Sequence, residues 1–143
     1  MAESTATKDV TATVDQVWTV VTDLSRWSEW NTMLTHWKGK VPDTLAPGTR
    51  VTAVLAVLGM ENTYTFTVDD LDPPTLLSLS GEGLAGAHGT YTIALASVGN
   101  HARVQARVAF ANKLMVGAIG RTITEATDTE LEASLSKLAA LVA

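Results

Sequence analysis

Asn62-Thr63-Tyr64-Thr65-Phe66-Thr67-Val68-Asp69-Asp70-Leu71 alternates cleanly, with Tyr64, Phe66 and Val68 on one face and Thr63, Thr65 and Thr67 on the other. Period-two alternation is what a half-buried β-strand requires. Asp72-Pro73-Pro74 ends the strand. Upstream, Thr49 to Leu58 is mostly apolar and reads as a strand, with Gly59-Met60 as a tight hairpin turn. Before it, His36 to Val41 is a candidate strand, and Pro42 and Pro47-Gly48 mark a turn. Downstream, Thr75 to Ser80 is a strand, followed by a glycine-rich loop from Gly81 to Gly86. Gly89 to Ser97 and His101 to Phe110 then pair across the short turn Gly99-Asn100.

Helical signals flank this block. Lys8 to Thr13 reads as a first strand, and Thr13 with Gln16 makes a capping box. Val17, Val20, Val21 and Leu24 recur at helical spacing, which predicts a helix from Val14 to Asp23. Leu24 to Asn31 reads as a second short helix, with Trp27 and Trp30 on one face. The last segment, Leu114 to Val142, carries Ile119, Ile123, Ala126, Leu131, Leu135, Leu138 and Leu141 at spacings of three to five. It reads as one helix of about 40 Å.

The pattern predicts an α+β domain covering residues 1–143, with about seven strands in a curved antiparallel sheet wrapped around the C-terminal helix. A cylinder cannot fill a curved sheet from end to end. Gly117, Ala118, Gly120 and Ala126 leave room near the helix N-terminus, so an apolar cavity is expected there.

Composition narrows the function classes. The chain has no cysteine, which excludes disulfides, thiolate metal sites and cysteine nucleophiles. The net charge is −5 and the ten basic residues are scattered, so nucleic acid is not an expected partner. No stretch is long and apolar enough for a membrane anchor, and Met1 to Asp9 lacks the apolar segment of a signal peptide. The expected location is the cytoplasm, as a monomer or weak dimer. Apolar residues make up 46% and charged residues only 17%, as if additional apolar surface is hidden inside.

Val17-Trp18, Asp23-Leu24 and Arg26-Trp27-Ser28-Glu29-Trp30-Asn31 resemble the opening signature of the polyketide cyclase/dehydrase family. That family belongs to the START-like (SRPBCC, Bet v 1-like) superfamily. The resemblance continues through Pro47-Gly48-Thr49, the Tyr64 strand, Gly86 to Tyr91 and the helix from Gly117 to Leu141. It implies a helix-grip fold and a hydrophobic small-molecule ligand, a lipid or a polyketide-like compound. A closer resemblance, through Gly59-Met60 and Gly81-Glu82-Gly83, is to actinobacterial proteins, some named as toxins of toxin–antitoxin pairs. Polyketide aromatase/cyclase or dehydratase activity and a toxin role are the alternatives this implies. The resemblance also implies arginines in the cavities of cyclase members. Here Asp70 stands at or near that strand position, and Val104, Ala106 and Val108 point inward, leaving Arg103, Gln105 and Arg107 outside. That pattern favours binding over catalysis.

The ligand-binding residues expected from the short helices and the turn after them are Trp27, Trp30 and Met33. The central strands contribute Val54, Tyr64, Phe66, Val68 and Leu79, and the last two strands Tyr91 and Ala106. The helix contributes Met115, Ile119 and Ile123. Trp27 and Trp30 can equally cement the short helices to the sheet. Tyr64 is the better tyrosine for a polar ligand contact, because a buried hydroxyl seeks a partner. His88 beside Glu82 could form an acid–base pair, although a solvated loop is the simpler reading. No catalytic residue is assigned, and no metal or other cofactor is expected, since no ligand spacing supports one.

Overall fold

The computed structural model describes residues 2–111 and 117–143. Seven antiparallel strands form one sheet in the order β1-β7-β6-β5-β4-β3-β2. They are β1 (Ala2–Val10), β2 (Leu34–Lys38), β3 (Arg50–Val57), β4 (Met60–Asp72), β5 (Leu76–Glu82), β6 (His88–Val98) and β7 (His101–Ala111). The helices are α1 (Val14–Val21), a 3-10 helix (Leu24–Glu29), a 3-10 turn (Leu84–Gly86) and α2 (Gly117–Val142). Element order follows the expectation: strand, two short helices, six strands and a long helix.

β1 and β2 are consecutive strands that lie at opposite edges of the sheet. The two short helices carry the chain from one edge to the other. The capping box that starts α1 is present: Gln16 N–H donates to Thr13 Oγ1 at 3.2 Å and Thr13 N–H to Gln16 Oε1 at 2.9 Å. Asp23 caps the 3-10 helix by accepting from Ser25 N–H at 3.1 Å. Two indoles then pin this segment. Trp27 Nε1–H donates to Val21 O and Trp37 Nε1–H to Leu24 O, each at 2.8 Å.

β1 begins earlier than its apolar content suggests. Its buried residues, Ser4, Ala6 and Val10, are too small and polar to stand out as a hydrophobic period. Thr11 to Thr13 then lies between the strand and α1. Gly81 belongs to β5 rather than to a loop, so only Gly83 to Ala87 connects β5 to β6.

α2 closes the concave side. Thr127, Leu131, Ser134, Leu135 and Leu138 are buried at spacings of one to four, making one inward stripe. Polar ties hold the helix to both sides of the sheet. Ser4 Oγ donates to Thr124 O at 3.3 Å from β1. Just before β2, Thr32 N–H donates to Ser134 Oγ at 2.9 Å and Thr32 Oγ1 to Glu130 O at 3.0 Å. The predicted helix start at Leu114 lies outside the described residues. Gly117 and Ala118 are exposed rather than turned to the sheet, while Gly120 and Ala126 are half-buried.

Candidate functional site

The inward face of β4 carries Tyr64, Phe66 and Val68, all buried. Pairing propagates this face across the sheet: Tyr64 opposes Ala53, Phe66 opposes Gly81, and Val68 opposes Leu79. Tyr91, Ile93 and Leu95 on β6 oppose Val108, Ala106 and Val104 on β7. These positions are buried, and Arg103 and Arg107 point the other way, pairing with Asp9 and Glu3 at 2.7 Å. The Arg103 hydrogen bond holds the Asp9 carboxyl below its ordinary value. The arginines of β7 therefore serve the outer surface, and Asp70 is also exposed, beside a bulge in β4.

Three aromatic rings lie flat on backbone near the N-terminal end of α2. A Cβ at Gly81 would sit 2.7 Å from Phe66 Cδ1. A Cβ at Gly83 would sit 3.3 Å from Tyr64 Cε1, and one at Gly89 3.1 Å from Phe110 Cδ1. Tyr64 lies 5.8 Å from Phe66 and 6.0 Å from Phe110, centroid to centroid. The glycines are thus explained as seats for rings, with Gly81 and Gly89 on adjacent strands.

Above these rings is an apolar crevice of about 50 Å3 lined by Leu55, Val57, Met60, Asn62, Tyr64, Phe110 and Ile123. It opens beside a shallow surface groove of about 280 Å3, formed by Leu58, Met60, Ala118, Ile119, Thr122 and Ile123. Leu58, Met60 and Ile119 are 57%, 50% and 59% exposed. Leu58 also has φ +55°, a backbone conformation that disfavours a leucine. The adjoining half of α2 is a poor helix former. Thr122, Thr124, Thr127 and Thr129 each donate to the carbonyl four residues earlier, at 2.8–3.2 Å. A weak helix segment and exposed apolar rim therefore meet at the crevice.

Of the expected ligand residues, Tyr64 and Ile123 line the crevice, while Ile119 stands on the outer groove. Trp27, Trp30, Met33, Phe66, Val68, Leu79, Tyr91 and Ala106 are buried in the core. Val54 is a correction. It opposes Thr63 and shares the outer face with Thr52, which hydrogen-bonds Thr65 at 3.2 Å. Met115 lies outside the described residues. Sequence reading missed Leu55, Val57, Met60, Asn62 and Phe110. For Leu55 and Val57 the signal was the turn, since a two-residue hairpin places odd-numbered β3 residues on the face of Tyr64; Met60 and Asn62 continue the alternation of Tyr64 along β4, and Phe110 that of Val108 along β7.

Glu82 and His88 are register partners, but both are exposed. They border an outer-face hollow of about 370 Å3 with Arg50, Thr65 and Ser80, away from the crevice. His36 is exposed too.

Deeper in the core, the Trp27 ring packs 5.2 Å from Trp30, 5.6 Å from Trp37 and 5.4 Å from Tyr91. Trp30 Nε1, Asn31 Nδ2 and the Tyr91 hydroxyl are buried without a hydrogen-bond partner among the described residues. Burial raises both tyrosine pKa values, strongly so for Tyr91. No group of three or more His, Asp or Glu side chains gathers among the described residues. No described helix is long and apolar enough to cross a membrane.

Residues 1–143 match the family model described as polyketide cyclase / dehydrase and lipid transport. The chain belongs to this family. Among its relatives is Mycobacterium tuberculosis "Uncharacterized protein Rv1546", 26% identical over 141 residues and 99% of both chains. Another is M. tuberculosis "Toxin Rv0910", 27% identical over 143 residues, covering all of this chain and 99% of the relative. The crystal structure of TTHA0849 from Thermus thermophilus superposes with a TM-score of 0.78 at 16% identity, covering 98% and 96% of the two chains. The shared architecture is the helix-grip fold. Membership in the polyketide cyclase/dehydrase and lipid transport family supports a ligand-binding or cyclase role.

Proposed function

We propose that the protein binds an apolar small molecule between the sheet and α2, admitted at the crevice formed by Leu55, Tyr64, Phe110 and Ile123. The observation that carries this reading is the meeting of that crevice with an exposed apolar rim, Leu58, Met60 and Ile119. Large exposed apolar side chains gathered at one opening are the mark of a binding surface. The crevice is far smaller than the roughly 300–1,000 Å3 of a typical ligand site. Binding therefore parts the threonine-rich half of α2 from β3 and β4, while Leu131 to Leu138 keep the other half seated. Among the described residues no Asp, Glu, His, Lys or Arg is buried, and the titratable groups that are, Tyr64 and Tyr91, are held protonated by their burial. That composition supports a binder over an acid–base cyclase or dehydratase.

Native mass spectrometry of protein from its own host tests this directly. A retained lipophilic molecule, displaced in an Ile123→Trp variant that fills the crevice, is the expected result. Absence of any retained molecule, together with no NMR response to lipophilic titrants, would count decisively against it.

The kinship with Toxin Rv0910 favours a second reading, in which the bound state inhibits growth. Induced expression should then slow growth, and Ile123→Trp should relieve it. Unchanged growth on induction removes this reading.

A further inference from the structure

We propose that the outer-face hollow bordered by Arg50, Glu82 and His88 is a second binding site, which takes a neutral polyhydroxylated ligand, a saccharide, along the hydroxyl row Thr67, Ser80 and Thr90. It lies away from the crevice, and the ligand-binding reading above does not depend on it.

Cross-strand register builds the site. Arg50 on β3 opposes Thr67 on β4, Thr67 opposes Ser80 on β5, and Ser80 opposes Thr90 on β6. The next row on the same face is Thr65, Glu82 and His88. Neighbouring strands lie about 4.8 Å apart, so the row from Thr67 to Thr90 spans about 10 Å, and the second row runs about 7 Å from it. Short side chains floor this strip, while Arg50, Glu82 and His88 are exposed at its border. The hollow holds about 370 Å3, within the range of small-molecule sites. Its hydroxyls differ from those of the adjacent rows. Thr52 and Thr65 hydrogen-bond each other at 3.2 Å, and so do Ser78 and Thr92. Thr67 and Ser80 are half-buried, yet neither they nor Thr90 hydrogen-bond another described residue through the hydroxyl.

The lining selects the ligand's chemistry. It contains no aliphatic, Phe, Tyr or Trp side chain, so an apolar ligand gains little burial here. Arg50 and Glu82 border the same hollow, and neither forms an ion pair with a described residue. An anion drawn to Arg50 would meet the Glu82 carboxylate, and a cation drawn to Glu82 would meet the Arg50 guanidinium. A neutral polyol meets neither penalty. Its hydroxyls accept from the guanidinium, donate to the carboxylate, and do both with Ser80 and the threonines. His88 Nδ1 lies 3.4 Å from Gly86 O, which leaves Nε2 for a further ligand hydroxyl. The hydroxyls around sugar rings supply such donors and acceptors at repeated intervals, as the row requires.

Maltose and cellobiose, which differ in linkage geometry, and inorganic phosphate are titrated separately into the 15N-labelled protein. The expected result is that a disaccharide gives saturable shifts of the Thr67, Ser80, Gly81, Gly89 and Thr90 amides with a Kd of about 1 mM. The amides of Leu55, Tyr64 and Ile123, at the crevice, should not move. Thr67→Val keeps the side-chain shape and a β-branched residue in the strand, so it should fold. It removes one hydrogen bond and should weaken the disaccharide about five-fold. Glu82→Gln should weaken it as well, and should let phosphate bind where the unaltered protein does not. No saturable shift with either disaccharide overturns the site, and so does phosphate shifting these amides in the unaltered protein. Disaccharide affinity unchanged in both variants overturns the placement along the row. None of these outcomes touches the crevice, which the lipophilic titrants test separately.

Discussion

The ring of Phe66 occupies the space that a side chain at Gly81 would need: a Cβ there falls 2.7 Å from Cδ1 and 2.8 Å from Cε1. The two residues are cross-strand partners on β4 and β5, so the ring lies over its neighbour's backbone instead of beside a side chain. Gly81→Ala therefore overpacks the concave face and should destabilise the protein by about 1–3 kcal/mol in urea unfolding. Gly81→Ala combined with Phe66→Leu should recover part of that loss. Strict additivity in this double-mutant cycle would show that the ring is not the obstacle.

Leu58 sits at φ +55° in the β3–β4 turn, followed by Gly59 at φ +74°. Two positive φ values in a two-residue hairpin suit Asn-Gly far better than Leu-Gly. Leu58→Asn should raise stability by about 1 kcal/mol and shrink the apolar rim. The expected readout is a higher Tm with weaker binding of an apolar fluorescent dye. A variant that is both less stable and equally avid for dye contradicts the reading of Leu58 as a strained rim residue.

Burial raises the Tyr91 hydroxyl above the ordinary tyrosine value of 10.0. The folded state then keeps its proton while the unfolded state loses it, so stability falls as pH rises above about 10. Tyr91→Phe removes both that dependence and an unpaired buried group. It should be equally or more stable at neutral pH, by up to about 2 kcal/mol, and should flatten the alkaline loss. Unfolding curves at pH 8 and pH 11 check both parts, and identical alkaline slopes would contradict the assignment.

Ser134 Oγ accepts the Thr32 N–H, and Thr32 Oγ1 lies 3.1 Å from the same atom. Ser134→Ala leaves that backbone donor unpaired and should destabilise by about 1–3 kcal/mol. Because this tie holds the well-seated half of α2, amide exchange at Thr32 should quicken. Unaltered exchange there would place the anchoring of α2 elsewhere.

Much of this was legible along the chain. Thr13 and Gln16 announce the start of α1, and the alternation of Tyr64, Phe66 and Val68 fixes one face of the sheet. The inward Val104, Ala106 and Val108, with Arg103 and Arg107 outside, follow from parity alone. Val54 shows where parity must be carried across a turn. Its strand is apolar on both faces, so hydrophobicity does not separate Val54 from Leu55, and only hairpin length decides between them. β1 was shifted for a related reason, since Ser4 and Ala6 are buried without being strongly hydrophobic.

The sheet wrapped around a long helix is thus a property of local patterns: alternation, caps, turns and helical spacing act over a few residues and are written in sequence order. The site is not. The seats of Phe66 on Gly81 and Phe110 on Gly89 join residues 15 and 21 positions apart. The meeting of Ile123 with Leu55, and of Trp27 with Tyr91, spans still longer separations. Only tertiary packing brings these together, and only it leaves Trp30 Nε1, Asn31 Nδ2 and the Tyr91 hydroxyl buried without a hydrogen-bond partner among the described residues. Whether a polar atom finds a partner depends on every element packed around it, which no local pattern records.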